Sequence, residues 1–255
     1  MQNIFVFDNL VTYILFFSIL GFLHFLFIRP HNYKNNFIKN SRFSPQKMSI
    51  VVIVIIATLF CSYALNAKPI MAAGQIIEAM GTLKSSGNVD EVIKSFNKVI
   101  EYNTFGTTEA RERVADLVVQ IAVNIDQTNQ AFAVLLDYSI KEMEKEALRQ
   151  PDVARYPVFL GKLYTIQMNL SGKGFETAEM YHNQALELAP NYIQIRLGLA
   201  ELYLIAGEKQ KAINVVKTTF DLPTKHTTLG SLFYPIFSVY ILAESFEEAL
   251  QFMHE

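Results

Sequence analysis

Apolar positions follow two different rules along this chain. From Leu10 to Ile28 run nineteen residues without a formal charge, and a second apolar run covers Met48 to Leu65. At 1.5 Å per residue the first would form a helix about 28 Å long, close to the hydrocarbon thickness of a bilayer. Few helices of soluble proteins are apolar all round at that length, so each run reads as a membrane span. Arg29, Lys34, Lys39, Arg42 and Lys47 lie between them with His31 and no acid. Two spans joined by a short basic loop form a helical hairpin, and the positive-inside rule puts the loop in the cytoplasm and both ends outside. Ala64-Leu65-Asn66-Ala67 also has the form of a signal-peptidase site, although a signal sequence rarely follows another span. His24, inside the first run, reads as a residue packed on a neighbouring helix or near the interface.

After Lys68-Pro69 the pattern turns amphipathic. Ile76, Ile77, Met80 and Leu83 fall on one helical face, and Ser85-Ser86-Gly87-Asn88 reads as a turn. Asn88 is placed to cap the next helix, with Glu91 three residues on as in a capping box. Val92, Phe96 and Val99 mark that helix, which Asn103-Thr104-Phe105-Gly106 ends. Val114, Leu117, Val118 and Ile121 mark the following helix, and Phe132, Leu135, Leu136, Ile140 and Met143 the one after. Lys141, Glu142, Glu144 and Lys145 are expected on its solvated face.

From Leu160 the spacing itself repeats. Leu160, Gly161 and Tyr164 are followed by Ala178, Ala185 and Pro190. Leu199, Ala200, Tyr203 and Gly207 are followed by Ala212 and Pro223, and Tyr240 by Ala249. Small residues at these places let helices approach, Pro190 stops a helix, and Gly207 gives a tight turn. Tyr203 to Ala212 and Tyr240 to Ala249 are nine residues each, whereas Tyr164 to Ala178 is fourteen. The extra length is expected as a flexible turn around Asn169–Gly174. This pattern resembles the tetratricopeptide repeat (TPR), a 34-residue helix-turn-helix unit that stacks into a solenoid. Val92, Phe96 and Val99 hold the spacing of Ala178, His182 and Ala185, an earlier and degenerate repeat.

The resemblance implies an all-α solenoid whose first helices line a concave groove for protein or peptide segments. Matched from the tyrosines, the groove positions would be Arg155, Val158, Lys162, Thr165 and Ile166; then Gln194, Leu197, Glu201, Leu204 and Ile205; then Ser231, Tyr234, Ser238, Ile241 and Leu242. The same positions read equally well as residues buried by the superhelix itself. The Lys/Asn/Arg clamp with which some family members grip a C-terminal carboxylate is absent. Pro235 is expected to kink its helix. The third repeat reaches Glu255 inside its second helix, so Phe233, Tyr234, Phe237 and Tyr240 are expected at an open apolar end that binds a partner protein or a second copy.

The hairpin carries a second resemblance. Gln2-Asn3-Ile4-Phe5-Val6-Phe7-Asp8, the basic loop, and Tyr102-Asn103-Thr104-Phe105-Gly106 are similar to the C-terminal end of bacterial O-antigen ligase/polymerase family proteins. Those polytopic enzymes transfer lipid-linked glycans outside the cytoplasmic membrane, and some end in such repeats. The resemblance implies an inner-membrane location, an extracytoplasmic repeat domain, and lipid-linked glycan machinery among the partners. The family's catalytic arginine and histidine belong to earlier spans and loops, so no catalytic residue carries over and the chain alone is not expected to be an enzyme. The competing reading is a complete membrane-tethered scaffold that assembles proteins at the cell surface.

Composition sharpens the division at residue 67. Residues 1–67 hold five Lys/Arg and one acid, Asp8, while residues 68–255 hold 17 Lys/Arg and 23 acids. An acidic solenoid lacks the basic stripe that nucleic-acid binding needs. The single cysteine, Cys61, excludes an intrachain disulfide. His31, His182, His226 and His254 are scattered with no Cys or carboxylate at metal-ligand spacing, so no metal or cofactor is expected; His182 falls on a repeat packing position. Ser171-Gly172-Lys173-Gly174 lacks the spacing of a phosphate loop, and no G-x-S-x-G occurs. The expected architecture is a two-span transmembrane hairpin over residues 1–67, then a TPR-type α-solenoid over residues 68–255.

Overall fold

The structure, a computed structural model, describes residues 17–24, 45–85, 87–104, 106–123, 129–220, 222, 226–247 and 249. Every element among them is a helix. After a helical stretch over 17–24 (α1) come α2 (Pro45–Ser62), a π-helical turn (Tyr63–Ala67), α3 (Lys68–Ser85), α4 (Val89–Glu101), α5 (Thr107–Ala122) and α6 (Gln130–Arg149). Then follow α7 (Arg155–Ser171), α8 (Phe175–Leu188), α9 (Ile193–Ile205), α10 (Lys209–Lys217) and α11 (His226–Leu242).

The chain divides into two compact units, residues 1–58 and 59–255. In the first, the described apolar side chains stand open: Phe17, Phe22, Val52, Ile53, Ile55 and Ile56 are all exposed. Most of the first apolar run and of the basic loop lies outside the described residues. The second run corresponds to α2, but that helix opens on Pro45, Gln46 and Lys47 and gives way to the π turn at Tyr63. Among the described residues no helix is long and apolar enough to cross a membrane.

The second unit is a stack of helix-turn-helix pairs. α3 packs on α4, α5 on α6, α7 on α8 and α9 on α10, while α5, α7, α9 and α11 pack in succession on one another. That succession puts α5, α7, α9 and α11 on a common face. Two apolar cores run through the stack, one from α3 to α7 and one from α8 to the last described residues; Tyr164 packs against both. Ala178, Ala185, Ala200, Ala212 and Ala249 are fully buried where helices meet, whereas Pro190 sits in the turn after α8.

The repeat tyrosines do more than fill space. The Tyr164 hydroxyl donates to Glu144 on the preceding α6 (2.7 Å), and the Tyr203 hydroxyl donates to Glu179 on the preceding α8 (2.6 Å). The same bond thus ties the α7–α8 pair to α5–α6 and the α9–α10 pair to α7–α8. Burial and the accepting carboxylate push the Tyr203 hydroxyl up to about 12, and Tyr164 is raised for the same reasons.

Several expectations are corrected. The five extra residues after Tyr164 do not form a loop; they lengthen α7, which continues to Ser171, while α9 ends at Ile205, two residues past Tyr203. The turn itself is tight, with Gly172 and Gly174 at φ +68° and +98°. On α3 the buried stripe is Ala72, Ile76, Ala79 and Leu83, leaving Ile77 and Met80 exposed. Pro235 lies inside α11, as its expected place within that helix required. Tyr240 is core rather than open surface, and Phe237 packs half-buried against the second core; Tyr234 is exposed, and the Phe233 side chain lies outside the described residues.

Glu142 and Glu144 also leave the solvated face. Glu142 and Glu146 are buried against α5: Arg111 Nη1 donates to Glu146 (2.7 Å) and Arg111 Nε to Glu142 (3.1 Å). Glu146 also accepts from Thr108, Arg149 and Gln150, and Lys145 pairs with Glu142. Desolvation alone would raise the Glu146 carboxyl, but the hydrogen bonds from Arg111, Arg149, Thr108 and Gln150 outweigh it and hold the pKa below the usual range.

Candidate functional site

The common face of α5, α7 and α9 carries three connected cavities. The largest, about 540 Å³, is walled by Val119, Ala122 and Val123 of α5 and its end, and by Ile166, Leu170 and Ile205 from α7 and α9. Lys162, Thr165 and Asn169 of α7, Gly198 and Glu201 of α9, and His182 of α8 supply its polar groups and floor. Lys162 also borders the next cavity, about 420 Å³, with Asp116, Arg155, Val158, Phe159, Tyr192 and Ile195. Asp116 and Arg155 then open on a third, about 460 Å³, with Thr108, Glu109, Glu112 and Arg113. The groove therefore passes from charged to apolar along the length of α5.

Its floor depends on two glycines. The His182 ring lies between Gly161 on α7 and Gly198 on α9; a Cβ at either place would come within 2.9 Å of the ring. Only backbone without a side chain admits the imidazole there. The Thr165 hydroxyl donates to the Gly161 carbonyl (2.7 Å), so His182 Nε2–H is the donor to Thr165 Oγ1 (3.3 Å). Nδ1 is then a bare acceptor, buried and without a partner. Desolvation, with the nearby Lys162 charge acting the same way, drives the imidazole down to about 4 against a smaller pull from the Gly161 backbone. The ring is neutral at physiological pH.

The charges at the two ends of the groove are handled differently. At the polar end Arg155 pairs with Glu112 (3.2 Å) and Arg113 with Glu109 (3.4 Å). Desolvation still leaves the Glu112 carboxyl raised, with Arg155 opposing and Asp116 and Glu109 adding to it. At the apolar end the Lys162 and Glu201 side chains make no ion pair or hydrogen bond with any described residue. Glu201 is exposed as a residue and lines the cavity, and partial desolvation raises its pKa despite the Lys162 charge.

Of the groove positions taken from the repeat match, Lys162, Thr165, Ile166, Glu201 and Ile205 line the largest cavity, and Arg155 and Val158 the adjoining one. Gln194 is exposed outside these cavities, and Leu197 packs half-buried against the second core. In their place α9 presents Ile195 and Gly198, one residue further on. Tyr234, Ile241 and Leu242 are exposed on α11 and border none of the three. Matching from the tyrosines missed Gly198 and the whole α5 contribution, because the earlier repeats have no tyrosine to count from. Gly161 beneath the ring, and a second Leu-Gly pair at 197–198, were the available signals. Among the described residues no three His, Cys, Asp or Glu side chains gather closely enough to hold a metal ion.

No family profile and no curated protein sequence matches the chain. Solved structures similar to it are helical repeat proteins. A thermophilic TPR protein of Thermus thermophilus (TTC0263) is 16% identical at TM-score 0.46, over 71% of this chain and 87% of that one. The MamA protein is 16% identical at TM-score 0.44, over 72% and 88%. Likeness at this level adds no functional information; the TPR-type fold rests on the helix pairing and residue spacing above.

Proposed function

We propose that this chain is a membrane-anchored interaction module whose groove along α5, α7 and α9 takes a segment of a partner protein. The observation that carries the reading is the series of connected cavities with apolar walls and unpaired charges at Lys162 and Glu201. A cavity of this size with a few converging polar groups is what a binding site needs, and nothing reactive accompanies it. An anchor is supported by the two apolar runs around a loop without acids, and by the exposure of Val52, Ile53, Ile56, Leu59 and Phe60 on α2. Apolar surface of this kind is costly in water, roughly 25 cal/mol per Å², and costs nothing in lipid. On the second resemblance, the module is the C-terminal portion of an O-antigen ligase/polymerase-like glycan-transfer protein, with the repeats outside the inner membrane and the chemistry in preceding spans.

A photo-crosslinking residue at Val123, in the groove, should join the full-length chain to a partner in cells, and one at Met180, exposed on α8, should not. Equal yields from both would remove the groove as the binding face. For the anchor, a cysteine placed at Asn36 in a Cys61→Ser background should resist a membrane-impermeant thiol reagent in intact cells while one at Gly172 reacts. The opposite pattern overturns the topology. An open reading frame with further apolar spans upstream of Met1 supports the glycan-transfer parent, and a stop codon with a ribosome site supports the complete scaffold.

A further inference from the structure

Lys162 and Glu201 face one cavity, act on each other through their charges, and yet close no bond. The most enclosed charges of the same stack are paired internally, Arg111 with Glu142 and Glu146, and at the polar end of the groove Arg155 pairs with Glu112. A cation and an anion that border one largely apolar space without pairing leave both free to meet a dipolar occupant. At about 540 Å³, with Val119, Val123, Ile166, Leu170 and Ile205 around it, the space is large enough for a large apolar side chain together with its neighbours in a peptide segment. The floor adds no competing charge, since His182 is neutral and its one unbonded atom, Nδ1, is an acceptor. Apolar walls also strengthen the charges beside them, because an ion pair formed there is less screened than in water.

We propose that this cavity reads a peptide segment of one composition: a large apolar side chain seated among Val123, Ile166 and Ile205, with a carboxylate beside it for Lys162 and an ammonium or guanidinium for Glu201. The proposal rests on the groove reading above and names its ligand. The two charges set the direction in which the segment lies, because reversing the segment puts like charges together, which costs as much as the correct pairing gains. The raised Glu201 carboxyl fits this role, since a bound cation would return it toward its ordinary range.

The test is selection of a random dodecamer peptide library on the full-length chain. The wild-type protein is expected to enrich peptides with an apolar residue flanked by one acid and one base in a fixed order. The doubly exchanged variant, Lys162→Glu with Glu201→Lys, should keep the apolar residue and invert the order of the charges. Val123→Asp serves as the groove block, because Val123 is 82% exposed and its replacement leaves the cores untouched; it should reduce binding of the enriched peptides at least tenfold. Enriched peptides that are lost with Val123→Asp but show no charge order, or an order unchanged by the exchange, overturn the ligand chemistry and leave the groove reading intact. Peptides indifferent to Val123→Asp, or none enriched, overturn both. Self-association of the wild-type chain that Val123→Asp abolishes would make a second copy the occupant and overturn the proposal.

Discussion

The solenoid holds two clusters of charge one repeat apart, one enclosed and one bordering the open groove, and it treats them in opposite ways. Between α5 and α6, Glu146 is completely enclosed and accepts from four different side chains, and Arg111 bridges it to Glu142. Between α7 and α9, Lys162 and Glu201 stand unpaired beside an imidazole with a bare nitrogen. A low-dielectric setting makes a satisfied network strong and a half-satisfied one costly. The first cluster therefore works as a structural tie, whereas the second adds little to the fold and is left open to a ligand. Sites that look under-satisfied in an otherwise consistent fold are where function is expected to lie.

The comparison breaks most visibly at Glu146. Glu146→Ala leaves Arg111 with Glu142 alone and removes the acceptor of Thr108, Arg149 and Gln150, and it should lower the unfolding free energy by about 2–4 kcal/mol. Urea unfolding of the full-length chain measures it, and a loss below about 1 kcal/mol would show that the network is not a tie.

Acid should act next. His182 is held down to about 4 in the folded chain from an ordinary 6.5. Its neutral form is favoured on folding, so the associated stability is complete above pH 6.5 and lost as pH falls toward 4, at most about 3 kcal/mol. Glu146, also lowered, adds a loss in the same direction only once pH falls below the ordinary carboxylate range. His182→Phe should flatten the melting temperature between about pH 6.5 and 4.5 and leave the steeper fall below it. An unchanged pH profile in that variant would move the titration elsewhere.

Gly161→Ala and Gly198→Ala each push a methyl group to 2.9 Å from the His182 ring. Overpacking of this kind costs about 1–3 kcal/mol. Combined with His182→Ala, either should cost less than the sum of the single changes, and strict additivity would show that the slot is not what the glycines protect.

Periodicity alone foretold much of this arrangement and missed the part that distinguishes the two clusters. Helix limits were legible wherever a breaker stood: Asn88 caps α4 by accepting from Glu91 N (3.3 Å), and Gly207 takes the left-handed turn at φ +78°. Glu244 takes the same turn in the next pair at φ +60°, which no glycine announced. Lys141, Glu142, Glu144 and Lys145 read as one polar face because neighbouring charges do not reveal which will meet Arg111, thirty-one residues away in the case of Glu142. The five residues after Tyr164 were indistinguishable from a loop, since Asn169 and Ser171 suit either a turn or a last helical turn. Groove residues on α7 followed from the tyrosine count. On α9 the count named Glu201 and Ile205, which line the cavity, and Leu197 beside the glycine, Gly198, that faces the ring.

The smallest stability effect is the most informative. The measurement that bears most directly on the account is the unfolding free energy of the ligand-free full-length chain carrying Lys162→Met and Glu201→Gln together. If these charges are kept for recognition, the variant should unfold within about 0.5 kcal/mol of wild type or slightly later, since the desolvated carboxylate is gone. A loss of more than about 2 kcal/mol would make the pair a structural element like Glu146 and Arg111, and the contrast between the two clusters would fall.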